Sequence, residues 1–272
     1  MPRPLPLRTL LPARLQALRG VLTDIDDTLT RDGAIEPAAL AALHALADAG
    51  VPVVAITGRP AGWSQQLAQS WPLAAMVAEN GGVLLTRQTG PGSAWTTRFT
   101  VDDATRDAQF QRLATCAQAV LAELPGTLLA RDSAGRLTDI AIDHSEFTTL
   151  DARRIAQVVA LMQSHGLQAT VSSIHVNGWI GEHNKWTGAA WAVQQALGLP
   201  FEPHDWVYLG DSANDQVMFA QLPLSVAVAN IAPCLVQLAE AQALPAYVTQ
   251  AERGQGFAEL AGAVLQARGQ AA

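Results

Sequence analysis

The feature that most constrains the fold is a short apolar run over residues 20–30 that ends in three carboxylates, Gly-Val-Leu-Thr-Asp-Ile-Asp-Asp-Thr-Leu-Thr. We interpret the run as a buried strand with Asp24 and Asp26 at its carboxyl end, where strand alternation points both side chains to one face. Like charges this close together are unfavourable unless a cation or a proton transfer uses them. Mg²⁺ prefers oxygen ligands and is the expected cation. For this run alone, an acidic turn after a strand is the alternative interpretation.

The residues that follow alternate apolar strands with helices. Residues 51–56 are continuously apolar, as in strands that are buried on both faces of a parallel sheet, and residues 74–78 form a third strand. A helix over 36–50, with proline in its first turn, joins the first two strands. This order predicts an α/β fold with a doubly wound, Rossmann-like parallel sheet, in which ligands bind beyond the carboxyl ends of the strands. Thr57 and Asn80 lie at such ends.

The middle of the chain has a different pattern, with short strands and two long helices. Apolar and polar residues alternate over 137–142, which predicts a half-exposed sheet. We therefore predict an α+β cap domain at 84–180, inserted into a catalytic core formed by 20–83 and 181–272. We predict a turn at 90–92, and expect the cap to open and close on hinges near Gly82 and Gly181.

Composition limits the partners and the compartment. The formal net charge is −7, whereas proteins that bind nucleic acids usually carry a basic face, so we expect no nucleic-acid partner. No apolar run approaches the roughly 18 residues of a membrane span, and no membrane partner is expected. Cys116 and Cys234 lack metal-binding spacing and are typical of reduced thiols in a cytoplasmic protein. Residues 1–19 have four arginines, four prolines and no acid, which predicts a flexible leader. We expect a monomer or a homodimer.

Residues from separate stretches could meet at one edge of the predicted sheet. Phosphoryl transfer needs a nucleophile, a proton donor for the leaving oxygen, a cation, and donors for the phosphoryl oxygens. Asp24 could attack phosphorus, and Asp26 could protonate the leaving alcohol and then deprotonate water. Thr57 and Lys185 could bind the phosphoryl oxygens. Asp24 and Asp211 could hold Mg²⁺.

These stretches resemble the four sequence motifs of the haloacid dehalogenase-like superfamily of phosphohydrolases. In chain order they are Asp24-Ile25-Asp26-Asp27-Thr28, Thr57-Gly58-Arg59, Lys185 and Gly210-Asp211-Ser212-Ala213-Asn214-Asp215. The resemblance covers residues 20–268. The insert lies between the second and third motifs, where the Cof-type and sugar-phosphate phosphatase-like members of subfamily IIB carry their cap.

The resemblance implies a role for each motif residue. Asp24 is the expected nucleophile and Asp26 the expected acid/base. Mg²⁺ is expected to bind Asp24, the backbone carbonyl of Asp26, and Asp211. Either Asn214 or Asp215 is expected to complete the metal site, and the resemblance leaves open which.

Candidate substrate-binding residues follow the motifs or lie on the segment that returns from the cap to the core. They are Gly58, Arg59, Asn80, His175, Asn177, Trp179 and His183. The polar side chains could bind hydroxyl groups and the aromatic rings could stack on a sugar, although packing is the alternative role for such rings. Arg59 or Arg131 could also bind a second anionic group of the substrate, although a surface position is expected for Arg131.

The expected function is that of a Mg²⁺-dependent phosphatase. It would hydrolyse a phosphomonoester of a small metabolite, for which a sugar phosphate is the favoured candidate, through an aspartyl-phosphate intermediate. A phosphomutase of the same superfamily shares every core residue and is one alternative. A non-catalytic sugar-phosphate-binding protein is another, although the intact set of Asp24, Asp26, Lys185 and Asp211 argues against it.

Overall fold

A computed structural model describes residues 3–87 and 94–269, and the turn predicted at 90–92 lies outside these ranges. Within them the chain forms fifteen strands and nine α-helices. The strands are β1 (Leu5–Pro6), β2 (Gly20–Thr23), β3 (Thr30–Arg31), β4 (Ala34–Ile35), β5 (Val53–Ile56), β6 (Ala75–Ala78), β7 (Val83–Arg87), β8 (Trp95–Phe99), β9 (Leu128–Leu129), β10 (Asp139–Asp143), β11 (Gln168–Val171), β12 (His175–Trp179), β13 (Trp206–Gly210), β14 (Ser225–Ala227) and β15 (Tyr247–Val248). The helices are α1 (Pro12–Gln16), α2 (Pro37–Asp48), α3 (Ala61–Ser70), α4 (Asp103–Glu123), α5 (Ala152–Ser164), α6 (Lys185–Leu197), α7 (Gln216–Gln221), α8 (Leu235–Glu240) and α9 (Arg253–Ala267).

Nine of the strands form one large sheet in the order β1-β15-β14-β13-β2-β5-β6-β7-β8. The pairs from β1 to β6 in this order are parallel, and β7 and β8 add an antiparallel edge. The central strands β2, β5, β6 and β13 are buried along their whole length, as their continuous apolar runs predict. Side chains of α2, α3 and α9 pack on one face of the sheet and those of α6, α7 and α8 on the other. The predicted doubly wound α/β core is confirmed.

A second sheet of four antiparallel strands, in the order β11-β12-β10-β9, lies in the insert. Helices α4 and α5 pack on it around a separate hydrophobic core. The predicted start of the insert at residue 84 does not match the sheets, because β7 and β8 both pair within the large sheet. Gly82 precedes this pair, so the first connection to the insert lies near residue 100 and not at the predicted hinge.

The amino-terminal segment is not a flexible leader from residue 3 onward. Its strand β1 pairs with β15 at the edge of the large sheet. Four leucines, at positions 7, 10, 15 and 18, are buried in the same core as α2 and α9. The burial of these leucines offsets the entropic cost of ordering the segment. The prediction of a flexible leader rests on the arginines and prolines and does not include this burial. Among the described residues, no helix is both long and apolar enough to cross a membrane.

Candidate active site

Two neighbouring strands bring acidic residues together at the carboxyl edge of the large sheet. Strands β2 and β13 pair in parallel with Thr23 opposite Leu209, so the residues that follow them, Asp24 and Asp211, lie near each other. The backbone N–H of Asp24 donates to the carbonyl oxygen of Leu209 at 2.9 Å, which fixes the start of the loop after β2. Both aspartates are buried. The edge of the sheet therefore holds two carboxylates in a desolvated position.

Lys185 is the only lysine of the chain, and its ammonium group is buried between two carboxylates. Its Nζ atom lies 2.7 Å from Oδ1 of Asp24 and 2.6 Å from Oδ1 of Asp215. The residue begins α6, where the side chain of Asn184 caps the first turn and fixes the direction of the helix. Burial alone would lower the pKa of Lys185, but the two carboxylates outweigh it and raise the pKa above its usual value. The ammonium group is therefore a fixed positive charge at the site.

Asp215 receives four hydrogen bonds and has no oxygen free. Its Oδ1 accepts from Lys185 and from the hydroxyl of Tyr208, the latter at 2.5 Å. Its Oδ2 accepts from the backbone N–H groups of Asp211 at 2.8 Å and Ser212 at 3.1 Å. The carboxylate therefore shapes the loop after β13 and orients Lys185.

The buried carboxylates fit a divalent cation. Oxygens of Asp24, Asp211 and Asp215 lie within 4.8 Å of one another. Oδ1 of Asp211 is buried and has no hydrogen-bond partner among residues 3–87 and 94–269. A buried carboxylate oxygen of this kind is unfavourable unless a proton or a cation binds it. Because donors occupy both oxygens of Asp215, Asp24 and Asp211 are the carboxylates that best fit Mg²⁺.

The pKa shifts agree with this fit. Burial, reinforced by the neighbouring carboxylates Asp215 and Asp26, raises the pKa of Asp24 to about 7 against the opposing charge of Lys185. Burial and the nearby carboxylates also raise the pKa of Asp211 well above its usual value. A bound cation would favour the ionised form of both groups. The amide of Asn214, also predicted near the metal, accepts from the hydroxyl of Ser212 at 2.8 Å.

The carboxylate of Asp26 is bound by Arg59, from the loop after β5. Nε of Arg59 donates to Oδ1 and Oδ2 of Asp26 at 3.0 and 3.1 Å. The terminal nitrogens of the same guanidinium group lie 3.3 Å from Asp132 and 2.8 Å from Glu146, both in the insert. Arg59 is buried, and its guanidinium carbon lies 5.0 Å from the centre of the Trp63 ring. Arg59 therefore connects the predicted acid/base residue to the insert.

The turn after β5 is packed closely against the insert. Oγ1 of Thr57 accepts from the backbone N–H of Arg59 at 3.0 Å, so the hydroxyl proton can still be donated to a phosphoryl oxygen. The carbonyl oxygen of Gly58 accepts from Arg136 at 2.9 Å and from Asn177 at 3.0 Å. A Cβ atom at Gly58 would lie 3.0 Å from Nδ2 of Asn177, so the side chain of Asn177 would have to shift by a few tenths of an ångström.

The candidate substrate-binding residues of β12 occupy alternate positions and are buried. Nε2 of His175 lies 2.9 Å from Oε2 of Glu146, and Nδ2 of Asn177 donates to the carbonyl oxygen of Gly58 in the core. Nε1 of Trp179 donates to the carbonyl oxygen of His183 at 2.8 Å, and the two ring centres are 5.9 Å apart. Burial lowers the pKa of His183 to about 4, so this imidazole is neutral near pH 7. His175 and Asn177 line a small cavity with Asp24, whereas Trp179 lies at the end of β12 and His183 in the loop that follows it.

Three cavities surround these residues. The cavity between Asp24 and β12 has a volume of about 10 Å³, which is close to that of one water molecule. A cavity of about 350 Å³ is lined in part by Trp179, His183 and Lys185. A third, of about 460 Å³, reaches Asp26 from the opposite side. A phosphoryl group does not fit beside Asp24 in this arrangement.

The insert is anchored to the core at the end of β6. The carboxylate of Glu79 accepts from the backbone N–H groups of Leu137 and Thr138 at 3.0 and 2.5 Å, and from the hydroxyl of Thr138 at 2.6 Å. Nδ2 of Asn80 lies 3.3 Å from Oδ2 of Asp139. Glu79 and Asn80 both have positive φ angles, +49° and +55°, which directs their side chains towards the insert. Asn80, predicted to bind substrate, therefore contacts the insert here.

Several residues of the site were not predicted from the sequence. Tyr208 lies on β13 two residues before its end, and its position in the strand could have suggested a contact with the fourth motif. Glu146 and Asp132 lie in loops of the insert without periodicity or a motif. Their contacts with Arg59 join residues more than 70 positions apart, which no local pattern indicates.

Comparison with known proteins agrees with the fold. The family described as haloacid dehalogenase-like hydrolase matches residues 21–96. The family described as sucrose-6F-phosphate phosphohydrolase matches residues 151–263. The two matches include the carboxylates after β2 and β13 and the lysine that begins α6.

Individual relatives cover nearly the whole chain. The phosphoglycolate phosphatase of Methanothermobacter thermautotrophicus is 28% identical over 248 residues, which are 89% of this chain and 96% of the relative. The sucrose-phosphatase of Synechocystis, solved with sucrose and phosphate, has a TM-score of 0.65 at 18% identity and covers 91% of this chain and 98% of its own. Protein 0175 of Thermoplasma acidophilum has a TM-score of 0.67 at 17% identity and covers 89% of this chain and 96% of its own. At these identities the solved structures show the fold.

The chain combines a doubly wound α/β core, an inserted four-stranded sheet and a cluster of buried carboxylates at the edge of the large sheet. The family matches agree with the resemblance to the haloacid dehalogenase-like superfamily of hydrolases, and the solved structures share the fold of this chain. An insert between the second and third motifs is consistent with its subfamily IIB.

Proposed function

We propose that the chain is a Mg²⁺-dependent phosphatase that hydrolyses a phosphomonoester of a small metabolite, with a sugar phosphate as the favoured candidate. The observation that carries the proposal is the buried ammonium group of Lys185, 2.7 Å from a carboxylate oxygen of Asp24 and beside the unpaired oxygen of Asp211. This arrangement supplies a nucleophile, a fixed positive charge and a place for a cation at one point.

The class of phosphoric monoester hydrolases rests on the family and on relatives that are named as phosphatases. The sugar-phosphate candidate is supported by the match of residues 151–263 to the sucrose-6F-phosphate phosphohydrolase family. The C-terminal domain of trehalose-6-phosphate phosphatase from C. albicans shares the fold, with a TM-score of 0.66 at 15% identity, and covers 97% of this chain and 98% of its own. The cytoplasmic location and the oligomeric state stay predictions from the sequence.

The proposed reaction has two steps at Asp24. A carboxylate oxygen of Asp24 attacks phosphorus, the ester P–O bond breaks, and Asp26 gives its proton to the leaving oxygen. Water then attacks phosphorus, its proton passes to Asp26, and the bond between Asp24 and phosphorus breaks to release phosphate. Lys185 and Thr57 donate to the phosphoryl oxygens in both steps.

Asp24 and Asp211 would hold Mg²⁺, with the backbone carbonyl of Asp26 as a further ligand. When bound, the ion supplies positive charge that offsets the repulsion between these carboxylates and a dianionic phosphate. Because donors occupy both oxygens of Asp215, we assign Asp215 to the orientation of Lys185 and leave Asn214 as the remaining candidate near the ion.

We further propose that residues from about 102 to 180 form a cap that opens to admit substrate. The support is the 10 Å³ cavity beside Asp24, which is too small for a phosphoryl group. The Glu79–Thr138 contact would then act as a fixed point about which the insert turns.

A phosphate-release screen over sugar phosphates, nucleotides and other phosphomonoesters tests the proposal. We expect release of phosphate with Mg²⁺, loss of release in EDTA, and recovery when Mg²⁺ is restored. No release from any ester would contradict the phosphatase function, and full activity in EDTA would contradict the metal role. An isomerised sugar phosphate without free phosphate would identify a phosphomutase instead.

A further inference from the structure

The leaving group of a substrate has a defined place in this site. Its oxygen must meet Asp26, which borders both the small cavity at Asp24 and the 460 Å³ cavity on its other side. The 350 Å³ cavity reaches Lys185 but does not include Asp26. The leaving group therefore extends into the 460 Å³ cavity, which we call the Asp26 cavity.

The Asp26 cavity has an excess of negative charge. Its lining includes four carboxylates and two guanidinium groups, which belong to Asp26, Asp27, Asp32, Glu146, Arg59 and Arg253. Both guanidinium groups are already paired. Nε of Arg253 lies 2.8 Å from Oδ1 of Asp27, and Arg59 contacts Asp26, Glu146 and Asp132. Among the described residues that line the cavity, no cation is free to bind a second anionic group.

Two buried cations near the cavity are also paired. Lys185 is held between Asp24 and Asp215, and the guanidinium group of Arg136 is held between Asp132 and Asp139. A substrate with a carboxylate in its leaving group would have to break one of these buried pairs, reach the exposed guanidinium group of Arg131, which lies 3.7 Å from the centre of the Phe147 ring at the cavity, or remain unpaired near four carboxylates. The first and the last of these are unfavourable in a partly desolvated cavity.

Glu146 is the lining carboxylate that comes from the insert. Oε1 of Glu146 and Oδ1 of Asp26 both lie within 3 Å of Nη2 of Arg59. The two carboxylate oxygens are therefore within about 6 Å of each other. Burial alone would raise the pKa of Glu146, but hydrogen bonds from His175 and Arg59 outweigh it and lower the pKa to about 2. Glu146 is therefore ionised at neutral pH, and it lies at the border of the Asp26 cavity with one oxygen held by Arg59 and the other by His175.

We propose that Glu146 is a specificity-determining residue, which excludes phosphate esters whose leaving group carries a second negative charge and favours uncharged, hydroxyl-bearing leaving groups. This inference rests on the proposed phosphatase function and extends it. The inference gives this chain a different substrate preference from the phosphoglycolate phosphatase that the chain resembles, since glycolate carries a carboxylate. It also gives Arg59 the role of holding Asp26 and Glu146, and not the predicted role of binding a second anionic group.

Two esters that differ only in charge test the proposal. Sorbitol 6-phosphate and 6-phosphogluconate have the same chain length, with a hydroxymethyl group in the first where the second has a carboxylate. We expect the wild-type kcat/KM for sorbitol 6-phosphate to exceed that for 6-phosphogluconate by at least about tenfold, which is the size of a modest like-charge repulsion. In Glu146→Gln we expect this ratio to fall by at least about fivefold, because the shape is kept and the charge is removed.

Two controls separate charge from structure. Glu146→Asp keeps the charge and shortens the side chain, so its ratio should remain within about twofold of the wild type even if its rates fall. Glu123→Gln removes an exposed carboxylate at the end of α4 and should change neither rate nor ratio. A wild-type ratio near one, or the same ratio in Glu146→Gln as in the wild type, would overturn the inference alone. Absence of hydrolysis of both esters and of every other phosphomonoester would overturn the proposed function with it.

Discussion

Nζ of Lys185 lies 2.7 Å from Oδ1 of Asp24, and both residues are almost completely buried. The two residues are 161 positions apart in the chain, and the parallel sheet and the start of α6 bring them together. The same ammonium group holds Asp215, so one cation compensates two buried carboxylates from different strand ends. The geometry of the proposed nucleophile therefore depends directly on this lysine.

Replacement of Lys185 by methionine keeps an unbranched side chain, one atom shorter, and removes its charge. Asp24 and Asp215 would then be buried without their cation, and removal of one partner from a buried ion pair costs about 3–5 kcal/mol. We expect the free energy of unfolding, measured by urea denaturation, to fall by about this amount, and kcat to fall at least about 100-fold. Unchanged stability together with wild-type kcat would show that the ion pairs do not form in solution.

The single lysine allows its charge state to be measured directly. A protein with lysine ¹³C-labelled at Cε gives one lysine side-chain NMR signal, because the chain contains one lysine. The pKa of Lys185 is raised above its usual value of 10.5, so its ion pairs stabilise the fold below that pH and are lost only as the pH rises through the higher, folded-state value. We expect no titration of the signal up to pH 10.5 while the protein remains folded. A midpoint at or below 10.5 would contradict the raised pKa.

The contact of Glu79 with Thr138 predicts how the insert is held. In Glu79→Gln an amide N–H₂ group replaces one of the oxygens that accept from the backbone and hydroxyl of the insert. We expect a loss of about 2–3 kcal/mol in the free energy of unfolding, because buried donors are left without acceptors. Hydrogen exchange over residues 132–139 should become faster, whereas the exposed Glu240→Gln should have no effect. Equal exchange in both variants would argue against the anchor.

The sequence predicts the core because its signals are local. The continuous apolar run over 51–56 indicates a strand buried on both faces, and the polar residues after it, such as Thr57, then lie at the carboxyl edge of the sheet. Positions 24 and 211 follow strands of the same kind. Convergence of these residues is therefore a consequence of strand order and parallel pairing.

The parts that sequence did not predict depend on long-range contacts. The leucines of residues 3–19 find their partners on α9, at the other end of the chain, and composition alone indicates a flexible segment. The pairing of β8 with β7 places residues 95–99 in the large sheet and not in the insert. Glu146 acquires its role only because the insert folds over Arg59, and its loop carries no pattern that indicates a charge beside the leaving group.

The most direct test of the account is to detect the phosphorylated residue. Wild-type protein is mixed with a hydrolysed ester and Mg²⁺, quenched in acid within milliseconds and treated with borohydride, which reduces an aspartyl-phosphate to homoserine. Mass spectrometry of the peptides should find homoserine at position 24 in the wild type and none in Asp24→Asn, which should also release no phosphate. Rapid phosphate release without conversion of Asp24, or conversion at a different residue, would contradict the account.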